Sequence, residues 1–151
     1  MTSLKTKERG FTIVELLIVI IVIGILAALV ITTFTGVQQK ARDTERQTDV
    51  KAVHGQVEAY YAQNGKYPTL ANLNSSAWVT ANLKGLDAEA TKDPKGAGYT
   101  FAASATANQY AYAVTAADGT SACDNSTTDC AKYVLTATLE AGGTYTKSSL
   151  N

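Results

Sequence analysis

The chain has 151 residues, thirteen basic and thirteen acidic side chains, and a formal net charge of zero at pH 7. That length accommodates one small domain and a membrane segment, and without a basic surplus nothing in the composition supports nucleic-acid binding as the main activity. The sequence holds no phosphate-binding loop, dinucleotide glycine fingerprint, HExxH pair or nucleophile elbow, so catalysis is not expected.

The amino end carries the strongest signal. A short leader with Lys5, Lys7, Glu8 and Arg9 ends at Gly10, and Phe11 opens an apolar stretch. Leu16 to Ile31 is an unbroken apolar run of sixteen residues; counted from Ile13 the stretch is nineteen residues with one charge, Glu15. That is close to the ~20 residues a bilayer-crossing helix needs, and the basic leader predicts a cytoplasmic amino end. A carboxylate in hydrocarbon costs at least ~2.5 kcal/mol unless compensated. The α-amine freed by a cut between Gly10 and Phe11 would compensate it. A cleaved secretory signal has a shorter apolar core and no acid at its front edge. A plain single-pass anchor accounts for the length but not for Gly-Phe followed by Glu.

The run Arg9-Gly10-Phe11-Thr12-Ile13-Val14-Glu15-Leu16 resembles the prepilin processing signal of the type IV filament superfamily, which includes type IV pilins and the pseudopilins of secretion and competence machines. The resemblance implies that a prepilin peptidase cuts after Gly10 and methylates the amine of Phe11. It also implies that Glu15 meets the Phe11 amine of a neighbouring subunit during assembly. Stranding one member of such a buried pair costs ~3–5 kcal/mol. The expected organisation is a removed leader over 1–10, a membrane and filament-core helix over 11–34, and an amphipathic helix plus extracellular head over 35–151. Leader removal leaves ten basic against twelve acidic residues, a net of −2.

The helix is expected to continue to Gln63, where Asn64-Gly65 and then Pro68 signal its end. Val37, Ala41, Thr44, Thr48, Ala52, Val53, Val57, Tyr60 and Tyr61 fall near one face and are the expected packing stripe. Glu45, Asp49 and Glu58 read as its solvent face, paired with Arg42, Arg46 and Lys51. Many superfamily members have a proline where this chain has Thr32, and their helix melts between a glycine and that proline. Here the glycine is Gly24, and Thr32 costs no backbone donor. Gly24 and Gly36 remain the candidate flexible points.

Leu70, Leu73, Trp78, Val79, Leu83 and Leu86 predict one or two short helices. The segments Tyr61 to Pro68 and Lys92 to Gly96 resemble the matching parts of major pseudopilins and several bacterial pilins. Alternation around Tyr99 to Ala103, Tyr110 to Val114 and Tyr133 to Leu139 predicts strands, with residues 144–147 as a further edge strand. Alternating tyrosines are read as core and cross-strand pairs. Cys123 and Cys130, with six residues between them in an exported chain, read as a disulfide. The sole histidine, His54, reads as structural. Asp118, Asp124 and Asp129 crowd the disulfide region and are the candidate calcium ligands, although no defined calcium loop is present. Asn125-Ser126-Thr127 matches a glycosylation sequon.

The expected fold is α+β: a long N-terminal helix packed on a small antiparallel sheet of three or four strands, the type IV pilin fold. The reading is a type IV pilin, polymerised into a surface filament for adhesion, twitching or DNA uptake. The alternative is a pseudopilin of a type II secretion or competence machine. The implied partners are copies of the same chain, the peptidase, an inner-membrane assembly platform, cytoplasmic ATPases, the membrane before assembly, and surface or DNA ligands. No cofactor is required.

Overall fold

The computed structural model describes residues 10–151. The leader's Lys5, Lys7, Glu8 and Arg9 lie outside the described residues. The chain divides into two compact units, one ending at Gln38 and the other running Gln39–Asn151. Helix α1, Ile13–Asn64, contributes residues to both. It ends where the sequence signals: Gly65 is left-handed (φ +71°) and its N–H donates to the Tyr61 carbonyl at 2.7 Å. Only glycine adopts that conformation freely, which makes it a helix stop.

In the first unit every large apolar side chain from Phe11 to Ile31 is between 46 % and 84 % exposed. Nothing among the described residues covers them, so lipid or other chains must. The helix stays regular through Gly24 and Gly36. Thr33 turns its hydroxyl back onto the Val30 carbonyl at 2.9 Å, which removes a polar group from the apolar surface.

In the second unit α1 buries Asp43, Arg46, Val50, Val53 and Val57, at alternating spacings of three and four. This corrects the expected stripe. Val53 and Val57 belong to it and Tyr60 and Tyr61 border it, but Val37, Ala41, Thr44, Thr48 and Ala52 are exposed. The stripe begins with two charged residues that periodicity of apolar side chains cannot register. Nor are Asp49 and Glu58 solvent-face charges. Asp49 accepts from Tyr110 at 2.6 Å, and Glu58 accepts from Tyr67 at 3.0 Å and Tyr133 at 2.8 Å.

Two short helices follow, α2 (Leu70–Leu73) and α3 (Ser76–Asn82), opened by the N-caps Thr69 and Ser75. They insert Leu73 and Val79 into the core. A single 3-10 turn, Ala88–Thr91, precedes the sheet. Strands β1 (Ala111–Thr115), β2 (Lys132–Thr138) and β3 (Thr144–Ser148) form an antiparallel meander in chain order. Tyr112 stands opposite Leu135, and Leu135 opposite Lys147. The expected strand around Tyr99 to Ala103 does not form; only the isolated bridge Ala102–Ala111 remains. The reason is local. The Asn74 side chain accepts from the Phe101 N–H at 2.6 Å and donates to its carbonyl at 3.0 Å, taking both groups a strand partner would need.

Tyrosines fill the space between α1 and the sheet, as expected of core pairs. Tyr67 meets Tyr133 edge-on at 4.8 Å, and Tyr112 lies 5.2 Å from Tyr133. Their hydroxyls are all bonded, Tyr112 to the Pro68 carbonyl at 2.9 Å. His54 Nδ1 sits 2.7 Å from the Tyr133 oxygen. Since that phenol's one hydrogen goes to Glu58, His54 is the donor to it, a structural role.

Candidate assembly site

Gly10, Phe11 and Thr12 precede the first helical residue, Ile13. Phe11 is 78 % exposed, and among the described residues no atom beyond Gly10 and its chain neighbours lies within 4 Å of where a side chain at Gly10 would begin. The Gly10–Phe11 bond is therefore in open, non-helical backbone.

Thr12 closes the amino end of α1 in a way sequence reading missed. Its backbone N–H donates to Glu15 Oε2 at 2.8 Å and its hydroxyl donates to the same oxygen at 2.5 Å. In return the Glu15 N–H reaches the Thr12 hydroxyl at 3.3 Å. Threonine three residues before glutamate is a capping box, so the signal was present in the sequence. Glu15 thus sits over the free N–H groups of the first turn, at the positive end of the helix dipole. Within one chain these bonds would offset part of the cost such an acid carries in hydrocarbon.

A second cluster lies where α1 enters the second unit. Arg46, fully buried, makes a two-pronged bond to Asp93, 2.7 Å from Nε and 2.9 Å from Nη2. Its Nη1 reaches Asp43 at 2.8 Å and Glu140 at 2.9 Å. Arg42 holds both oxygens of Glu140, at 2.6 and 2.7 Å, and Lys95 adds a bond at 2.8 Å. Asp43 also accepts the Glu140 and Ala141 backbone N–H groups at 2.8 and 2.9 Å. Three cations and three carboxylates thereby fasten α1 to the Asp93-Pro94-Lys95-Gly96 turn and to the β2–β3 turn. Planar two-pronged pairing fixes orientation as well as charge. The bonds from Arg42 and Lys95 hold the Glu140 carboxyl well below the usual range against the opposing effect of burial. Bonding to Asp93 raises the Arg46 guanidinium despite its burial.

Cys123 and Cys130 form a disulfide that closes the loop between β1 and β2. Asn125 is its strut. Nδ2 donates to the Tyr67 carbonyl and Oδ1 accepts the Cys130 N–H, each at 2.8 Å. Both ends of the sequon amide are therefore committed inside the fold. The calcium candidates are not gathered. Asp118 caps its own turn at the Thr120 and Ser121 N–H groups, each at 2.9 Å. Asp124 takes the Ser126 and Thr127 N–H groups, each at 2.8 Å, and Asp129 pairs with Lys66 at 3.2 Å. Among the described residues no group of three His, Cys, Asp or Glu side chains is placed to hold a metal ion.

Residues 5–31 match the family described as the prokaryotic N-terminal methylation motif, and residues 33–133 match that of type II secretion system protein G. The type II secretion system core protein G of Dickeya chrysanthemi is 35% identical over 66 residues, covering 44% of this chain and 43% of that relative. That of Escherichia coli (strain K12) is 38% identical over 63 residues, covering 42% and 43%. The type IV major pilin protein PilA of Myxococcus xanthus is 36% identical over 66 residues, covering 44% of this chain and 30% of the relative. In each case the match spans less than half of the relative's length. No solved structure matches.

Proposed function

The chain belongs to the type II secretion system protein G family, and from that premise we propose that it is a pseudopilin, a structural subunit polymerising into a type II secretion filament. The observation that carries this reading is the reach of the family match. It covers residues 33–133, most of the head, and not only the amino-terminal signal that pilins and pseudopilins share. The preference expressed in the sequence reading, a surface pilin first and a pseudopilin second, is thereby reversed. The segments at 61–68 and 92–96, which resemble major pseudopilins as well as several bacterial pilins, lie within that match.

The chain is a filament subunit and not an enzyme; its apolar helix and processing signal fit a membrane-anchored precursor. In the proposed sequence of events a prepilin peptidase cuts the open Gly10–Phe11 bond and methylates the new amine. Glu15, held by Thr12 in the single chain, then exchanges this partner for the charged Phe11 amine of a neighbour. That exchange gives an ion pair where there had been hydrogen bonds, in surroundings of low dielectric where pairing counts most. The exposed apolar residues of α1 pack together in the filament core. An assembly platform and cytoplasmic ATPases supply the work.

A type IV pilin is the second reading, favoured by the Myxococcus relative and by the closed disulfide loop in the carboxyl-terminal half. The amino-terminal mass of the chain in sheared and envelope fractions tests both. A chain beginning at methylated Phe11 and confined to the envelope is the expected result. The same chain abundant in sheared filaments makes it a pilin, and one beginning at Met1 in both fractions overturns the filament reading.

A further inference from the structure

Away from the assembly residues, the second unit has a groove of about 340 Å³ between the last two turns of α1 and the end of α3. Its polar lining is Gln56, Gln63, Asn64, Asn82 and Lys84, four neutral amides and one cation, set beside Tyr60 and the small residues Ala59, Ala81 and Gly85. Asn64 donates Nδ2 to the Tyr60 carbonyl and Asn82 donates to that of Trp78, each at 2.9 Å. Both therefore keep an amide oxygen as an acceptor. Among the described residues neither the Gln56 nor the Gln63 side chain makes a hydrogen bond to the protein. Gly85 has a specific part. A Cβ there would stand 2.6 Å from Gln56 Nε2, so glycine is what lets this amide lie across the groove. The groove's aromatic edge is Tyr60, backed by Trp78 at 5.1 Å in an edge-on pair, both half-buried.

An apolar ligand would strand these amides without partners. An anion or a nucleic acid would find a single cation, Lys84. The lining instead matches a neutral ligand whose groups both donate and accept and whose ring offers a C–H face to an aromatic edge. We infer that this groove binds a neutral oligosaccharide, its hydroxyls bonded by the Gln56, Gln63, Asn64 and Asn82 amides and one pyranose ring packed on Tyr60.

The sugar titration needs no polymer and so is separate from the filament reading. Trp78 is the only tryptophan in the chain, and its emission reports on the groove. The mature full-length chain, held in a sugar-free zwitterionic detergent, is titrated with cellotriose, which has hydroxyls only, and with triacetylchitotriose, which adds acetamides. The expected result is a saturable shift in Trp78 emission with at least one of them, below about 20 mM. Replacing both Gln56→Ala and Gln63→Ala weakens it roughly tenfold or more. Gly85→Ala, which displaces only the end of a flexible side chain, weakens it while the circular dichroism is unchanged. A response to neither sugar overturns the inference, as does equal binding by the double variant. Preference for trigalacturonate overturns it in favour of a cation site at Lys84. Loss of cross-linked polymer in the groove variants, with both sugar titrations silent, overturns it in favour of a contact between copies.

Discussion

Thr12 separates two roles of Glu15 that the sequence motif presents as one. The carboxylate caps its own helix and, in the proposed filament, carries the charge that meets a neighbour's amine. Glutamine at this position still serves a capping box but has no charge. A Glu15→Gln chain is therefore expected to be cut and methylated normally and to fail to polymerise, read from amino-terminal mass alongside cross-linked polymer. Normal polymer from Glu15→Gln would show that capping, not charge, is what assembly needs. Arg46 gives a second prediction at this scale. Arg46→Met leaves Asp43 and Asp93 buried against an apolar side chain, and removing one partner from such a network costs ~3–5 kcal/mol. The denaturation midpoint of the chain in detergent should fall accordingly, while replacing exposed Lys40 should leave it unchanged. The motif residues Gly10, Phe11 and Glu15 stand out in the sequence because their proposed chemistry is local. Arg46 does not, because its partners Asp93 and Glu140 lie 47 and 94 residues away, and a helical arginine beside acids reads as solvent-facing.

Elements repeat the lesson. Helix α1 and its stop at Gly65, the two short helices and strands β1 to β3 follow from periodicity, caps and turn glycines. The segment around Phe101 does not, because one distant side chain, Asn74, supplies the bonds a strand would have used. The disulfide loop is a comparable case. Cysteine spacing announced the bridge, but the latch to the chain after α1 is made by Asn125. Asn125 is also left-handed, with φ +63°, a conformation other non-glycine residues adopt at a cost of order 1–3 kcal/mol. Asn125→Ala removes two internal bonds and adds that strain. It should open the loop to proteolysis between Cys123 and Cys130 with the disulfide still formed. Unchanged cleavage kinetics would mean that the bridge alone holds the loop. Within α1, Thr32→Pro restores the residue many superfamily members have at this point and removes a backbone donor mid-helix, at ~3 kcal/mol. Hydrogen exchange should then quicken around residues 28–32 and stay unchanged across residues 43–57.

At the scale of the whole molecule, two groups of side chains among the described residues of the second unit give stability its pH dependence. Bonds from Arg42 and Lys95 lower Glu140; the Ser121 hydroxyl and the Thr120 and Ser121 N–H groups hold Asp118 down at about 2; the Thr128, Thr127 and Ser126 N–H groups lower Asp124. For Asp43 burial pulls upward but is outweighed by the Glu140 and Ala141 N–H groups and Arg46. Such carboxyls bind fewer protons folded than unfolded. Their contribution is complete above the ordinary carboxylate pKa of ~4 and drains away as pH falls through the lowered folded values. Asp49 runs the other way, raised by burial despite the Tyr110 hydroxyl, and partly offsets the loss. On the alkaline side burial and Glu58 push Tyr67 up to about 12, and burial raises Tyr110, Tyr112 and Tyr133 still further. These phenols stay protonated in the fold while the unfolded chain ionises above ~10, so stability is complete below that pH and lost above it. The expected melting curve is flat from about pH 5 to about pH 9 and falls on both sides. Glu140→Gln, which gives up the charged bonds, should lower the plateau and flatten the acid limb without moving the alkaline one. Near-ultraviolet circular dichroism of the tyrosines, recorded with Trp78 emission, measures both limbs. An alkaline limb that shifted with Glu140→Gln would mean that the ion network around Arg46 of α1 and the tyrosine core give way as one unit.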